Sequence, residues 1–147
     1  MNRGFIAMSA LALGLVAGFG GAFAQSAPIA QRKALMKGIG DANRAPAAML
    51  KGETFDLSKV QTALKAMQDA GKQSPALYPD NSKTGGETAA LPKIWENKAD
   101  FNAKLAKLDA DATAAMNTIK DEASFKTGFP ELLKNCGGCH TDYRARR

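Results

Sequence analysis

Five residues near the carboxyl end of the chain, Cys136-Gly137-Gly138-Cys139-His140, have the types and spacing needed to attach a haem covalently. In this C-x-x-C-H pattern the two sulfurs bond to the porphyrin vinyl groups and the histidine binds iron. On a helix, residues three and four positions apart share a face, so one turn would present both sulfurs and the imidazole together. The motif holds the only two cysteines and the only histidine of the 147 residues, so any imidazole ligand must be His140.

A redox-active C-x-x-C pair, a zinc half-site and a chance match are the alternative interpretations of these residues. A thioredoxin-like motif belongs beside a βαβ pattern, and nothing in this sequence alternates strand with helix. Zinc usually takes four ligands, mostly Cys and His, and the motif supplies only three. The sequence therefore favours haem. A second histidine, a catalytic triad and a phosphate-binding loop are absent from the sequence, so we do not expect an enzyme.

The amino-terminal 24 residues have the layout of a secretory signal peptide. Asn2-Arg3 supplies a positive start, residues 5–19 are apolar, and Ala22-Phe23-Ala24 is a small-residue cleavage site. The alternative is an uncleaved membrane anchor, since residues 4–24 are nearly long enough to span a bilayer. Export agrees with haem attachment, because the thioethers of c-type cytochromes form outside the cytoplasm, where disulfides also persist. We therefore expect a periplasmic protein.

Removal of residues 1–24 would leave residues 25–147, which is enough chain for one domain. The removed segment contains one arginine and no acidic residue, so the formal net charge would fall from +6 to +5. The lysines are spread along the chain without a basic block or interleaved aromatic residues, which argues against nucleic acid as a partner. No later stretch is apolar enough to span a bilayer, so we expect no stable membrane insertion after cleavage.

Four segments of residues 25–147 show helical periodicity, and none alternates in the manner of a strand. The first is predicted to begin near Pro28, to kink at Pro46 and to stop at Gly52. The second is predicted to begin after Asp56 or Ser58 and to be capped at its carboxyl end by Gly71.

The connection from residue 71 to residue 91 is rich in glycine and proline, and we expect it to wrap the haem edge. A turn at Pro92 precedes the third helix, whose apolar residues run from Phe101 to Ile119. The last helix carries the haem motif, and Pro130 either starts it or bends it. Four such amphipathic helices predict an all-α, antiparallel four-helix bundle.

Four groups of residues resemble class II c-type cytochromes, which are the cytochrome c′ family and its low-spin, methionine-ligated relatives. These groups are Arg32-Lys33-Ala34-Leu35-Met36, Lys51-Gly52-Glu53 with Phe55-Asp56, Pro92-Lys93-Ile94-Trp95 with Phe101, and residues 136–144. The resemblance covers residues 28–145 and implies a four-helix bundle with haem c covalently attached near the carboxyl end.

On the proximal side, the resemblance implies thioether bonds at Cys136 and Cys139, with His140 as the proximal iron ligand. Arg144, one turn further on, matches a basic residue that the family places beside the proximal face.

At the haem edge, Arg32 matches an arginine that pairs with a haem propionate, and Lys33 lies next to it. Glu87, in the Gly85-Gly86-Glu87 loop, matches the segment that approaches the edge of the ring. Trp95, Phe55 and Phe101 either line the haem pocket or belong to the core.

Met36 is the position that decides between two functions. In low-spin relatives a methionine here binds iron as the sixth ligand, which raises the reduction potential and suits an electron carrier. In cytochrome c′ members a bulky apolar residue leaves the iron five-coordinate, so that small gases such as nitric oxide can bind. A methionine that only packs between helices is the third interpretation. We expect Met36 to be the sixth ligand, with gas binding as the alternative.

The expected partners follow from the same resemblance. An electron carrier meets other redox proteins, and its positive charge favours acidic ones through weak, salt-sensitive contacts. Family members also pair through their first two helices, which implies that this chain can form a homodimer.

Overall fold

The computed structural model describes residues 20–146, with side chains from residue 27 onward, and these residues fold into six α-helices. The helices are α1 (Gly20–Ala42), α2 (Arg44–Met49), α3 (Leu57–Gln73), α4 (Lys93–Glu96), α5 (Lys98–Thr118) and α6 (Glu122–Tyr143). Two 3₁₀ turns, Ser74–Leu77 and Asp80–Ser82, follow α3, and no strand forms within the described range. The all-α prediction is therefore confirmed. None of the helices in this range is both long and apolar enough to cross a membrane.

The four long helices form the bundle, in which α3 packs against α1 and α5, and α5 packs against α6. The larger of two buried clusters lies between these helices and contains Leu64, Met67 and Phe129, each at most 1% exposed. Phe55 packs against it, with its ring centroid 5.6 Å from that of Phe125. Phe55 is thus a core residue.

The first predicted helix is divided into α1 and α2 at Asn43, as expected from Pro46. Pro46 has no N–H to offer the carbonyl of Ala42, and its ring crowds that carbonyl, so the helix is interrupted one turn before the proline. The start predicted near Pro28 is wrong, because α1 (Gly20–Ala42) already includes the residues before Pro28, which lies inside the helix. The predicted signal peptide falls mostly on residues 1–19, outside the described residues, and stays a prediction. Cleavage after Ala24 would place Pro28 in the first turn of the shortened helix, where no N–H is needed.

Side chains cap the starts of α3 and α6. Asp56 accepts a hydrogen bond from the backbone N–H of Lys59 (3.2 Å), which confirms it as the cap of α3. At α6, Asp121 accepts from the N–H of Ser124 (2.8 Å), and the Ser124 hydroxyl accepts from the N–H of Asp121 (3.1 Å). Because α6 begins at Glu122, Pro130 lies inside this helix and does not start it.

The prediction that Gly71 ends α3 is wrong, because α3 continues to Gln73 and Gly71 is buried inside it. Gly71 lies where α3 packs directly against the backbone of α5. A Cβ atom at this position would be 2.9 Å from the backbone nitrogen of Asp109 and 2.9 Å from the carbonyl oxygen of Leu105. The glycine is required by helix packing and not by a turn.

Replacing Gly71 by alanine should therefore destabilise the bundle by about 1–3 kcal/mol, the usual cost of overpacking a core. The atoms that the new methyl group meets belong to the α5 backbone, so the two helices must move apart. Chemical denaturation of the variant would measure the loss. Gly38→Ala is the matched control, because no atom lies within 4 Å of its added Cβ, and it should be neutral or stabilising. Equal stability of the Gly71 variant and the wild type would contradict this packing.

Candidate functional site

A cavity of about 640 Å³ lies between α1, the carboxyl-terminal half of α6 and the chain that connects α3 to α4. It brings together seven of the eight residues predicted from the sequence. They are Arg32, Lys33, Met36, Glu87, Cys139, His140 and Arg144. The eighth, Cys136, lies one turn before His140 on α6 and is half-buried, but it is not part of the cavity wall.

The bundle leaves this space because two of its helices do not close against each other. Helix α1 packs on α3, and α6 packs on α5, whereas α1 and α6 make little direct contact in the described part of the chain. Met36 on α1 and His140 on α6 therefore reach the same cavity from separate helices. The gap is suited to a flat group placed between these two side chains.

His140 is half-buried near the end of α6, and its backbone carbonyl accepts from the N–H of Arg144 (3.3 Å). Burial lowers the pKa of His140 below its ordinary value, and the nearby positive charge of Arg144 lowers it further. The imidazole is therefore neutral at pH 7, which is the form that binds a metal.

Cys136 and Cys139 are both free thiols on α6, three residues apart and half-buried. Burial raises the pKa of each thiol above its ordinary value. Cysteines that exchange disulfides or act as nucleophiles have a lowered pKa, because the thiolate is the reactive form. The environment of this pair is therefore the opposite of that of a redox-active C-x-x-C motif.

Arg32 is the most deeply buried charge in the cavity wall, with 3% of its surface exposed. Its Nη1 donates to the carbonyl of Leu77 (3.1 Å) and to Ser82 Oγ (2.9 Å). Its Nη2 donates to the carbonyl of Ser82 (3.1 Å) and to Thr88 Oγ1 (2.9 Å). Its guanidinium also lies over the ring of Tyr78, 4.7 Å from the centroid. Burial lowers its pKa, although an arginine remains charged at neutral pH.

One wall of the cavity is aromatic, and the sequence predicted only part of it. Phe101 is 4.7 Å from Tyr78 and 5.3 Å from Tyr143 between ring centroids, and all three rings line the cavity. The Tyr143 hydroxyl donates to Asp100, and burial together with that carboxylate raises the pKa of Tyr143 to about 12. Trp95 packs on Tyr78 (5.9 Å) behind the wall, and its indole N–H donates to the carbonyl of Tyr78 (3.1 Å).

Of the cavity-lining residues that were not predicted from the sequence, Tyr143 could have been found from its spacing. It lies three residues after His140 and therefore on the same helical face. Tyr78 could not, because it follows a 3₁₀ turn in a connection without periodicity. Thr88 also lines the cavity, and nothing in its neighbourhood in the sequence singles it out.

A segment that we call the strap, residues 82–91, forms part of the cavity wall and supplies Glu87 to it. Gly85 and Gly86 have φ angles of 89° and 65°, a conformation that favours glycine. At its far end the strap is joined to the end of α6. The N–H of Leu91 donates to the carbonyl of Tyr143 (3.0 Å), and the N–H of Ala145 donates to the carbonyl of Ala89 (2.8 Å). That the connection wraps the haem edge stays a prediction, and the structure places residues 87–90 of the connection in the cavity wall.

The lining has the chemical character that a haem requires. Aromatic and aliphatic side chains suit the porphyrin ring. Four positively charged side chains and one carboxylate line the cavity. The cations are Arg32, Lys33, Lys37 and Arg144, and the carboxylate is that of Glu87. No carboxylate in the described residues forms a salt bridge with the buried Arg32. Two propionates would supply the missing negative charge, because buried charges need partners.

A second groove, of about 600 Å³, lies between α5 and α6, and Cys139 lines it as well. His140 and Met36 line only the first cavity. A group attached through Cys139 and bound by His140 therefore belongs in the first cavity.

Comparison with known proteins identifies the family of this chain. The model of the family described as "Cytochrome C'" matches residues 27–144. The chain is 56% identical over 134 residues to a cytochrome c′ of Rhodopseudomonas palustris, covering 90% of this chain and 92% of the relative. It is 40% identical over 129 residues to a cytochrome c-556 of Agrobacterium fabrum, covering 86% and 87% respectively.

Solved structures give the same result. A cytochrome c′ from Rhodopseudomonas palustris superposes with a TM-score of 0.79 at 57% identity, over 82% of this chain and 97% of that one. An NMR-validated structural model of oxidised cytochrome c556 from the same organism gives a TM-score of 0.75 at 29% identity, over 84% and 99% of the two chains. With the family match extending over most of its length, the chain belongs to the cytochrome c′ family, whose members bind haem c.

Proposed function

We propose that this c-type cytochrome is an exported electron carrier in which His140 and Met36 are the two axial ligands of the haem iron. The proposal rests on the observation that these two side chains line the same cavity from α1 and α6, which make little direct contact with each other. A neutral imidazole and a thioether are the pair that favours low-spin iron with a high reduction potential. Iron bound by both side chains would have no open coordination position, and its ligands would stay the same in both oxidation states.

Bound haem c supplies a one-electron couple, Fe(II)/Fe(III), and the chain's residues hold and tune it. Cys136 and Cys139 fix the ring to α6, and both sulfurs lie on the same helical face as His140. The aromatic wall formed by Tyr78, Phe101 and Tyr143 excludes water from one side of the cavity. A drier site strengthens the electrostatic effect of nearby charges on the couple.

The charges around the cavity support roles in haem recognition. Arg32 and Lys33 lie on α1, and Arg144 lies one turn beyond His140. In this proposal Arg32 and Lys33 face the propionates, and Arg144 lies beside the proximal face. Glu87, which is exposed on the strap, lies near the haem edge.

The proposal includes a place and partners for the protein. Residues 1–24 act as a signal peptide, and the mature chain works in the periplasm. Its net positive charge favours acidic redox proteins, met through salt-sensitive contacts. Pairing of two copies through the first two helices belongs to the same proposal, and sedimentation of the mature protein would test it.

Mass and optical spectra of the exported protein test this function together. The mature chain should begin after Ala24, weigh one haem more than its amino acids and leave no titratable thiol at the two cysteines. Its absorption bands should shift reversibly on reduction and oxidation. A colourless protein with two free thiols would refute the proposal.

A second candidate function is the binding of small gases such as nitric oxide. It is favoured by the 56% identity to a protein named cytochrome c′, against 40% to one named cytochrome c-556. In this case Met36 lies beside the iron without binding it and narrows the distal space. Rapid binding of carbon monoxide or nitric oxide by the ferrous protein would distinguish this function from electron transfer.

A further inference from the structure

Arg32 makes more hydrogen bonds within the chain than a residue that only binds a propionate would need. All four N–H groups on its Nη1 and Nη2 atoms have acceptors within the chain, at 2.9 to 3.1 Å. Two of these acceptors belong to Ser82 and one to Thr88, and both residues lie in the strap. Only the Nε–H is left to offer to a carboxylate, so the guanidinium chiefly binds the strap.

The first half of the strap has little else to hold it beside the cavity. Residues 83–87 are all exposed, so apolar packing does not fix them. The fixed points on either side of these exposed residues are Ser82, which is fully buried, and Thr88. Thr88 Oγ1 accepts from Arg32 Nη2 and from the backbone N–H of Ala90 (3.2 Å), so it connects the arginine to the end of the strap.

Immediately after Thr88, the strap is bonded to the residues that follow His140. Ala90 and Arg144 form an antiparallel bridge, which is flanked by the hydrogen bonds that Leu91 makes to Tyr143 and Ala145 makes to Ala89. A continuous chain of contacts therefore runs from Arg32 on α1, through Thr88, to the end of α6. Arg32 and Met36 are one turn apart on α1, so this chain joins the helices that carry the two proposed ligands.

We propose that Arg32 is a positioning residue that fixes the strap in the wall of the haem cavity and thereby ties α1 to the end of α6. This inference rests on the proposed haem site and adds a role for a residue whose expected function was contact with a propionate. The planar fork of arginine is necessary, since it reaches the carbonyl and hydroxyl of Ser82 and the hydroxyl of Thr88 together. A lysine keeps the charge but cannot reach all of these acceptors from one nitrogen.

Amide hydrogen exchange of the holoprotein tests the strap directly. In Thr88→Val, which keeps the shape but removes the acceptor, the N–H groups of Leu91 and Ala145 should exchange about tenfold faster, the effect of losing one charge-assisted hydrogen bond. Arg32→Lys should give the same or a larger increase. Thr88→Ser restores the hydroxyl and should restore slow exchange. The circular dichroism of the haem Soret band should change in the first two variants and recover in the third.

Two substitutions serve as matched controls. Thr62→Val removes an exposed hydroxyl that bonds only to the carbonyl of Ser58 in its own helix, and Arg44→Lys changes an exposed arginine paired with Asp41. Neither should alter exchange at Leu91 or Ala145. If both amides exchange in Thr88→Val at the wild-type rate, the proposal is overturned. It is also overturned if the Soret signal changes in Arg32→Lys but not in Thr88→Val, because that result indicates that Arg32 only contacts a propionate.

The experiment distinguishes failure of the proposed role of Arg32 in the strap from failure of the proposed haem function. The wild-type spectrum is recorded first, and a colourless wild type would refute the proposed function by itself. The strap is judged only by the difference between each variant and the wild type. If Arg32→Lys fails to fold, the Thr88→Val and Thr88→Ser pair still decides the question.

Discussion

Replacing both Cys136 and Cys139 by serine should remove most of the helical signal of this protein and abolish its cooperative thermal transition. Without its thioethers the chain must fold around a cavity of about 640 Å³. This cavity is open to solvent, so without haem its aromatic and aliphatic lining is exposed to water, and exposed apolar surface costs about 25 cal/mol per Å². The total stability of a small domain is only about 5–15 kcal/mol, so the burial that haem provides is a large part of it.

Electrostatics adds to the instability of the haem-free chain. Four cations line the cavity with one carboxylate, and Arg32 is buried without a salt-bridge partner among the described residues. A buried charge that lacks its counter-charge is costly. A group that binds only the folded state stabilises that state, so covalent haem should supply the missing stability.

Far-ultraviolet circular dichroism and a thermal melt would measure this effect. Thr62→Val is the control, because Thr62 is exposed, bonds only to the carbonyl of Ser58 in its own helix and does not line the cavity, and it should keep both the haem and the melting temperature. Equal helicity and melting temperature in the double serine variant and the wild type would contradict the prediction.

The parts of this protein that sequence could predict are those controlled by local chemistry. Asp56 caps α3, Pro46 interrupts the first helix, and residues 139, 140 and 143 share a face because of helical spacing. Each of these features depends on residues within one or two turns of each other. Local spacing also placed Met36 four residues after Arg32, and the structure finds both side chains in one cavity.

The error at Gly71 and the missed residues of the cavity have a common physical origin in contacts between distant segments. Gly71 has the pattern of a helix end, but its lack of a side chain lets α3 approach the backbone of α5 at Asp109. Arg32 finds its acceptors about 50 residues away, where no periodic pattern marks Ser82 or Thr88. Tyr78 enters the aromatic wall through the same unpatterned connection. Such residues become visible only when the helices have been packed together.

Substitution of Met36 should reveal which of the two functions the cavity performs. If its thioether binds iron, Met36→Leu should convert the low-spin spectrum to a high-spin one and lower the reduction potential, because leucine keeps the volume but has no donor atom. A gas would then bind without displacing a ligand. In the wild type, carbon monoxide would first have to displace the thioether from iron, at a cost of about 3 kcal/mol. The ferrous Met36→Leu variant should therefore bind carbon monoxide more tightly than the wild type, on the order of a hundredfold.

The matched control for this experiment is Met116→Leu. Met116 is a partly buried methionine that packs against the main core and does not line the haem cavity. Its replacement should leave the spin state, the potential and carbon monoxide binding as they are in the wild type. If Met36→Leu behaves in the same way, the thioether does not bind iron. The wild-type iron would then be five-coordinate, and Met36 would serve to restrict which gases reach it.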